Sequence, residues 1–208
     1  MLELIHYHAP QSRSASILWL LEELGAQRGT RLLNLKKGEH KQDWFLKINP
    51  MGKVPAITHG GVPVTEAPAI AMYLADALPD AKLAPAVTDT ARGTYLRWLV
   101  YNSACVEPAI IDRALKREGG DPGMLPYGNS ATTIETLAGA LAKGPYILGE
   151  TFSAADVIIG SGVRWMLSFK LLPERPEFTG YVERLSQRPA LQRAIALDEA
   201  FVAEQAKA

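Results

Sequence analysis

The hydrophobic pattern divides the chain into two unlike halves, and the first half alternates strands with helices. Gly60-Gly61 marks a tight turn between the last two strands, and Gly25 suits the C-terminal cap of the first helix. The resulting order, βαβαββα, is thioredoxin-like, with a helical crossover joining a parallel pair and a hairpin at the end. Apolar and polar positions predict strands at about 4–7, 31–35, 54–58 and 62–64, and helices at about 15–24, 43–46 and 68–78.

The second half has almost no strand pattern. Ser153, followed three residues later by Asp156 and then by an apolar run, is typical of a capped helix start. The sequence therefore predicts an α+β protein of two domains, a thioredoxin-like domain over residues 1–80 and an all-helical domain over residues 88–208. The linker covers about 81–87, and helical spacing recurs over about 89–116, 130–142, 177–187 and 190–204.

The step Val54-Pro55 carries the clearest indication of binding. Pro55 has no backbone N–H to donate to a strand ladder, and it pushes Val54 into an extended conformation. The backbone groups of Val54 are then free to pair with an extended peptide by strand addition. Lys53 and Glu66 offer one charge of each sign, which suits a zwitterionic peptide ligand.

Composition narrows the classes of partner. The 208 residues carry a formal net charge of zero, which disfavours a nucleic acid or an anionic membrane as the partner. The single cysteine, Cys105, excludes an intramolecular disulfide. We expect a cytoplasmic protein, because the N-terminus lacks the pattern of a secretory signal and the apolar stretches are too short to span a membrane.

Four motifs together resemble the cytosolic glutathione S-transferase superfamily, in particular its bacterial, theta-like members of the serine type. The resemblance covers essentially the whole chain and implies the fold predicted above, with a cis peptide before Pro55. It also implies a homodimer that uses glutathione as co-substrate and no metal. The motifs lie at residues 7–25, 49–55, 65–74 and 152–156.

The resemblance assigns glutathione contacts to particular residues. Val54 would pair with the cysteinyl part and Glu66 would accept from the α-ammonium group, whereas both also suit an ordinary strand start and helix start. Ala67 stands where many relatives have Ser, so only its N–H remains for the γ-glutamyl carboxylate. His40, in a Gly-Glu-His run, would contact the glycyl carboxylate with help from Lys53, although His40 equally suits a surface loop.

The group that activates the thiol is left open. Ser12 has the place of the activating serine after the first strand, although helix capping would also explain it. Ser14 and Tyr7 are its rivals. Position 16, where many similar sequences carry Arg, is Ser16, so the serine-type pattern is incomplete.

Candidates for the second-substrate pocket come from the helical half. Trp98, Tyr101 and Cys105 share one face of the helix after the linker, and Trp165 comes from a later helix. This spacing is also typical of a packed core.

We predict an enzyme that conjugates the glutathione thiolate to a small hydrophobic electrophile. The same site could host glutathione-dependent isomerisation, dehalogenation or peroxide reduction. The departures at Ser16 and Ala67 also leave open a non-catalytic binding protein of the same fold.

Overall fold

The computed structural model describes residues 2–117 and 119–207. Within these residues the chain forms one four-stranded sheet and nine α-helices. The strands are β1 (Leu4–His8), β2 (Gly29–Leu32), β3 (Ala56–His59) and β4 (Val62–Thr65). The helices are α1 (Ala15–Glu23), α2 (Asp43–Leu46), α3 (Ala67–Ala77), α4 (Ala91–Tyr101), α5 (Glu107–Ala114), α6 (Ser130–Leu141), α7 (Ala154–Ser168), α8 (Pro176–Ser186) and α9 (Pro189–Gln205).

The sheet has the strand order β2-β1-β3-β4. β1 is parallel to β2 and antiparallel to β3, and β3 forms a hairpin with β4, which confirms the predicted order. The second strand begins and ends earlier than predicted. Leu33 gives its N–H to the His8 carbonyl at 2.8 Å, and the N–H of Asn34 turns to the Glu39 carboxylate at 2.7 Å, so the chain leaves the ladder there.

The described residues fall into two compact units. One comprises the described parts of Met1–Ala81 and Arg188–Ala208, and the other comprises Lys82–Gln187. The final helix thus differs from its predicted place in the helical domain, because it packs on α1 of the thioredoxin-like unit. The Glu23 carboxylate accepts both Arg188 guanidinium bonds, at 2.6 and 2.8 Å, together with the Trp19 indole N–H at 2.8 Å.

The helix predicted over 89–116 is interrupted. A π-helical turn at Asn102–Val106 separates α4 from α5, and Pro108 stands in the first turn of α5. Proline has no N–H and cannot continue the regular helical ladder, so the interruption beside it has a local cause.

The helical unit is organised around one buried carboxylate. Asp156 accepts from the Ile147 N–H at 2.7 Å and the Tyr181 hydroxyl at 2.9 Å. Its other oxygen accepts from the N–H and the hydroxyl of Ser153, at 2.9 and 3.1 Å, which confirms the predicted capped start of α7. Burial raises the pKa of Asp156 above its ordinary value, although the hydrogen bonds act in the opposite direction.

We expect Asp156→Asn to lower the free energy of unfolding by about 2–4 kcal/mol, since one amide oxygen cannot serve all these buried donors. Chemical denaturation followed by circular dichroism measures the change. Tyr181→Phe removes a single donor and should cost about 1 kcal/mol. Equal losses in the two variants would contradict a structure centred on the carboxylate.

Candidate functional site

Three chain segments meet where the β3 ladder begins, at one end of the strands. The register pairs Ala56, the first residue of β3, with Tyr7 on one side and with Thr65 on the other. Directly before Ala56 lies the Val54-Pro55 peptide, which is cis as the resemblance implies. The loop after β1 and the start of α3 therefore flank the Val54-Pro55 step.

Val54 has backbone groups without a partner among the described residues, just before β3 begins. Its half-buried side chain packs on an apolar cluster that includes Tyr7 and Phe45. Within residues 2–117 and 119–207, its backbone N–H and C=O make no hydrogen bond. Extending the β3–β4 register beyond Ala56 and Thr65 would set Val54 beside Ala67. An extended peptide could thus pair with Val54 close to the beginning of α3.

The beginning of α3 suits a carboxylate next to an ammonium group. Glu66 is the residue before the helix, with φ +67°, and its exposed side chain does not cap the helix. Ala67 opens the helix, where backbone N–H groups have no intrahelical acceptor and the helix dipole favours an anion. The acidic side chain of Glu66 and the N–H of Ala67 at the helix start therefore belong to adjacent residues.

Two loops are locked together beside Val54. Asn49 is buried, and its side-chain amide donates to the Lys53 carbonyl at 2.8 Å. Lys41 donates to the Met51 carbonyl at 3.0 Å. Gly52 has φ +57°, and a Cβ there would lie 2.7 Å from the His40 carbonyl oxygen. The segments carrying His40 and Lys53 are thereby held close together.

The two basic candidates differ in exposure. The Lys53 side chain is exposed. His40 is half-buried, and its Nδ1 atom is buried without a hydrogen-bond partner among the described residues. Both occur in the loops held together through Gly52, so a carboxylate reaching this region could meet two basic side chains.

Ser12 and Ser14 form the inner wall of the loop after β1. The Ser12 hydroxyl donates to the Ala9 carbonyl at 2.7 Å and lies 2.8 Å from the Ser14 hydroxyl. Ser12 is half-buried, whereas Ser14 is completely buried. α1 begins at Ala15, and the Ser12 hydroxyl oxygen also accepts from the Ser14 N–H at 3.2 Å, so this side chain helps to hold the turn that leads into the helix.

The remaining candidates near this loop are packed inward. Tyr7 is 5% exposed and contacts the apolar cluster, with its hydroxyl 3.5 Å from the Thr58 hydroxyl. Ser16 is also buried and donates to the Arg13 carbonyl at 2.8 Å. These positions favour the half-buried Ser12 over Tyr7 as a group that meets a ligand.

The sequence did not reveal two residues behind this loop. His8 lies fully buried with Nε2 2.9 Å from the Asp198 carboxylate and Nδ1 2.8 Å from the Ser14 hydroxyl. Asp198 also accepts from the Gln11 N–H at 3.1 Å. A polar residue inside the apolar first strand was the available signal for His8, whereas nothing in the local pattern around Asp198 marks its partner.

The candidates for the second-substrate pocket differ in burial. Trp98 is 4% exposed and packs edge-to-face on Tyr101, whose hydroxyl donates to the Thr133 carbonyl at 3.2 Å. Cys105 lies half-buried in the π-helical turn, and burial raises the pKa of its thiol. Trp165 is 42% exposed and packs against the Phe169 ring in a tilted arrangement, so it is the candidate most open to a ligand.

Comparison with known proteins identifies relatives of similar length. The family model described as "Glutathione S-transferase, N-terminal domain" matches residues 2–76. Glutathione S-transferase A of Pleuronectes platessa is 29% identical over 85% of this chain and 83% of its own length. The disulfide-bond oxidoreductase YfcG of Escherichia coli is 28% identical over 91% of this chain and 93% of its own.

A solved structure extends the likeness to the fold. The structure of a sphingomonad glutathione S-transferase complexed with glutathione is 25% identical, with a TM-score of 0.73, and covers 94% of this chain and 98% of that one. None of the helices in the described residues has the length and apolar character needed to cross a membrane. No cluster of metal-ligating side chains occurs among residues 2–117 and 119–207.

We expect Gly52→Ala to lower the free energy of unfolding by about 2–4 kcal/mol, since positive φ and a backbone clash act together. Gly25→Ala is the matched control, because Gly25 has φ +58° but nothing within 4 Å of an added Cβ. The control should cost only about 1–2 kcal/mol. Denaturant titration measures both, and equal values would show that the close approach to His40 contributes nothing.

Proposed function

Since this chain is similar to glutathione S-transferases in its N-terminal domain and in its fold, we propose that it belongs to their cytosolic superfamily and transfers the thiolate of glutathione to a small apolar electrophile. The observation that carries this proposal is the Val54 backbone, which has no hydrogen-bond partner in the described part of the chain and precedes β3 near the start of α3. Glutathione is a tripeptide with charged ends, and an extended residue with available backbone groups can bind an extended peptide by main-chain hydrogen bonds.

The γ-glutamyl end lies at α3 in this proposal. Val54 pairs with the cysteinyl backbone, which sets the direction of the peptide. Glu66 accepts from the α-ammonium group, and the N–H of Ala67 donates to the neighbouring carboxylate. The exposed Glu66 side chain is free to turn toward the ligand, because it makes no capping bond in the helix.

The glycyl end lies toward the two locked loops. His40 and Lys53 supply positive charge to its carboxylate, with His40 donating from a ring nitrogen. The buried Nδ1 of His40 has no partner among the described residues, so a bond to the ligand would satisfy a group that is otherwise costly to bury.

Thiolate formation is the chemical task of the protein. A thiolate, rather than a thiol, attacks the electrophile, and a donor at the sulfur favours the charged form. Ser12 is the donor in our proposal, because its hydroxyl is half-buried whereas Ser14 and Tyr7 are buried. To donate to the sulfur, the Ser12 hydroxyl must give up its hydrogen bond to the Ala9 carbonyl.

The electrophile is proposed to contact the aromatic residues of the helical domain, with Trp165 as the most accessible of them. Tyr101 and Cys105 are half-buried, and the Trp98 ring packs edge-to-face against the Tyr101 ring. Apolar aromatic surface of this kind binds a small hydrophobic substrate without fixing its identity.

A second candidate function is glutathione-dependent reduction of a disulfide. The likeness to the Escherichia coli disulfide-bond oxidoreductase favours it over isomerisation or dehalogenation. The loop after β1 contains no cysteine, and Cys105 is the only one in the chain. Any disulfide exchange at this loop would therefore use the sulfur of glutathione itself.

We expect the wild-type protein to bind immobilised glutathione, to lower the pKa of the bound thiol and to conjugate a generic aromatic halide. In Ser12→Ala the thiol pKa should rise by about 1–2 units, since one hydrogen bond to a charged group is lost. Ultraviolet absorbance of the thiolate against pH measures it. Ser16→Ala is the control, because that buried hydroxyl donates to the Arg13 carbonyl of the loop.

The outcomes of these binding, titration and activity measurements distinguish between the candidate thiol donors and between the candidate functions. A shift in Tyr7→Phe with none in Ser12→Ala would transfer the role to Tyr7. A wild-type protein with no affinity for glutathione would favour a non-catalytic binding role. Disulfide reduction without conjugation would favour the second candidate.

We expect Ala67→Ser to tighten glutathione binding about 10-fold or more, because a hydroxyl adds a hydrogen bond to the γ-glutamyl carboxylate. Calorimetric titration measures the affinity. Ala69→Ser places a hydroxyl in the same helical turn two residues on and should leave binding unchanged. Unaltered affinity in Ala67→Ser would show that the backbone N–H alone holds the carboxylate.

A further inference from the structure

A continuous chain of hydrogen-bonding groups runs from α9 to the loop after β1. The Asp198 carboxylate lies 2.9 Å from Nε2 of His8, and Nδ1 of His8 lies 2.8 Å from the Ser14 hydroxyl. The Ser14 hydroxyl lies 2.8 Å from that of Ser12. His8 and Ser14 are completely buried, so Ser12 is the end of the chain nearest a ligand.

With His8 neutral, the hydrogen bonds all point inward. The carboxylate accepts only, so the His8 proton is on Nε2 and Nδ1 is an acceptor. Ser14 then gives its one proton to His8 and accepts from the Ala9 N–H at 3.0 Å. The Ser12 hydroxyl then donates its hydrogen bond either to the Ala9 carbonyl or to the Ser14 oxygen.

With His8 protonated, the directions reverse. Nδ1–H donates to Ser14, which can no longer accept from Ser12 because the Ala9 N–H uses its other lone pair. Ser14 can then donate to the Ala9 carbonyl, 3.0 Å away. Ser12 is released to donate outward while the Ala9 carbonyl keeps a hydroxyl donor.

We propose that His8 is the base that receives the thiol proton of glutathione through Ser14 and Ser12, and that Asp198 stabilises the resulting imidazolium. The inference rests on the transferase function proposed above. The S–H bond breaks and its proton goes to Ser12, Ser12 passes its own proton to Ser14, and Ser14 passes its proton to Nδ1. One thiolate and one imidazolium form, and the net charge does not change.

The surroundings of His8 suit this role. Asp198 on α9 faces one ring nitrogen, and from β1 the His6 ring lies 5.1 Å away. Burial first, and then the charges of His8 and Arg28, lower the pKa of His6 well below its ordinary value, so His6 adds no positive charge. The Phe201 ring of α9 packs on His8 at 5.5 Å and is neutral.

Asp198 also has a structural role that a test must separate from this one. Its second oxygen holds the Gln11 N–H, where φ is +57°. In Asp198→Asn the amide oxygen can keep that bond while the NH2 group faces Nε2. The His8 proton would then move to Nδ1, and His8 could no longer accept a proton from Ser14.

The test counts protons released to solvent per thiolate formed when glutathione binds at mildly alkaline pH. Calorimetry in buffers of different ionisation enthalpy gives the protons, and ultraviolet absorbance gives the thiolate. S-methylglutathione, which has no thiol proton, provides the baseline. For the wild type we expect a ratio of released protons to thiolate near zero. For Asp198→Asn we expect a ratio near one, measured at a pH above the pKa of the glutathione thiol bound to that variant.

Arg193→Gln is the matched control on the same helix. Arg193 bonds Glu22 of α1 at 2.8 Å and does not touch His8, so this variant should keep the wild-type ratio. An Arg193→Gln ratio near one would assign the effect to the docking of α9 and overturn the inference.

Nitrogen-15 NMR of His8 in the wild-type protein gives a measurement that requires no variant. We expect a neutral Nε2–H ring in the free protein and an imidazolium with glutathione, but not with S-methylglutathione. A ring already protonated in the free protein, or one proton released per thiolate, overturns the inference alone. A wild type that forms no thiolate overturns the proposed function and the inference together.

Discussion

The absence of a donor at Pro55 is the constraint on which the site depends. β3 pairs on both sides from Ala56 onward, with Tyr7 and with Thr65. One residue earlier the chain has no N–H to give, and Val54 keeps its own backbone groups unpaired among the described residues. Because β1 and β4 both end near this position, the loop with Ser12 and the helix start with Glu66 and Ala67 follow where the ladder stops.

Two acidic side chains show how the same functional group serves different ends. Asp156 lies in the helical unit, and its oxygens are occupied by donors from three residues, so it holds that unit together. Among the described residues, Asp198 accepts from His8 and Gln11 only, and its side chain keeps 16% exposure. A carboxylate saturated by neutral donors fixes structure, whereas one facing an imidazole can also respond to a proton.

The sequence predicted what local patterns encode. The parallel pair of the first two strands, the hairpin with its turn at Gly60-Gly61 and the capped start at Ser153 were predicted from patterns along the chain, and the structure confirms them. The place of α9 did not follow, because helical periodicity states that a face is buried but not against what. The ion pairs of Glu23 with Arg188 join residues far apart in sequence.

The contact of His8 with Asp198 was hidden for the same reason. An inward polar residue in a strand could be a satisfied core histidine, and only the fold reveals its partner. The candidate residues Lys53, Val54 and Glu66 were easier to find, because they flank a single β-hairpin. The register of that hairpin places Glu66 at the same end as Val54.

The serine at position 16, where many similar sequences carry arginine, can be interpreted together with the buried His8. Ser16 is buried and bonded to the Arg13 carbonyl, so it offers no charge to a thiolate. A hydroxyl donor alone stabilises an anion less than a donor with a cation behind it. An imidazolium at His8, two hydroxyls away from the sulfur, would supply positive charge from inside the domain, and Asp198 would keep that charge from being buried unpaired. A chain lacking arginine at this position can therefore retain electrostatic support for the thiolate, provided that the support arrives with the proton.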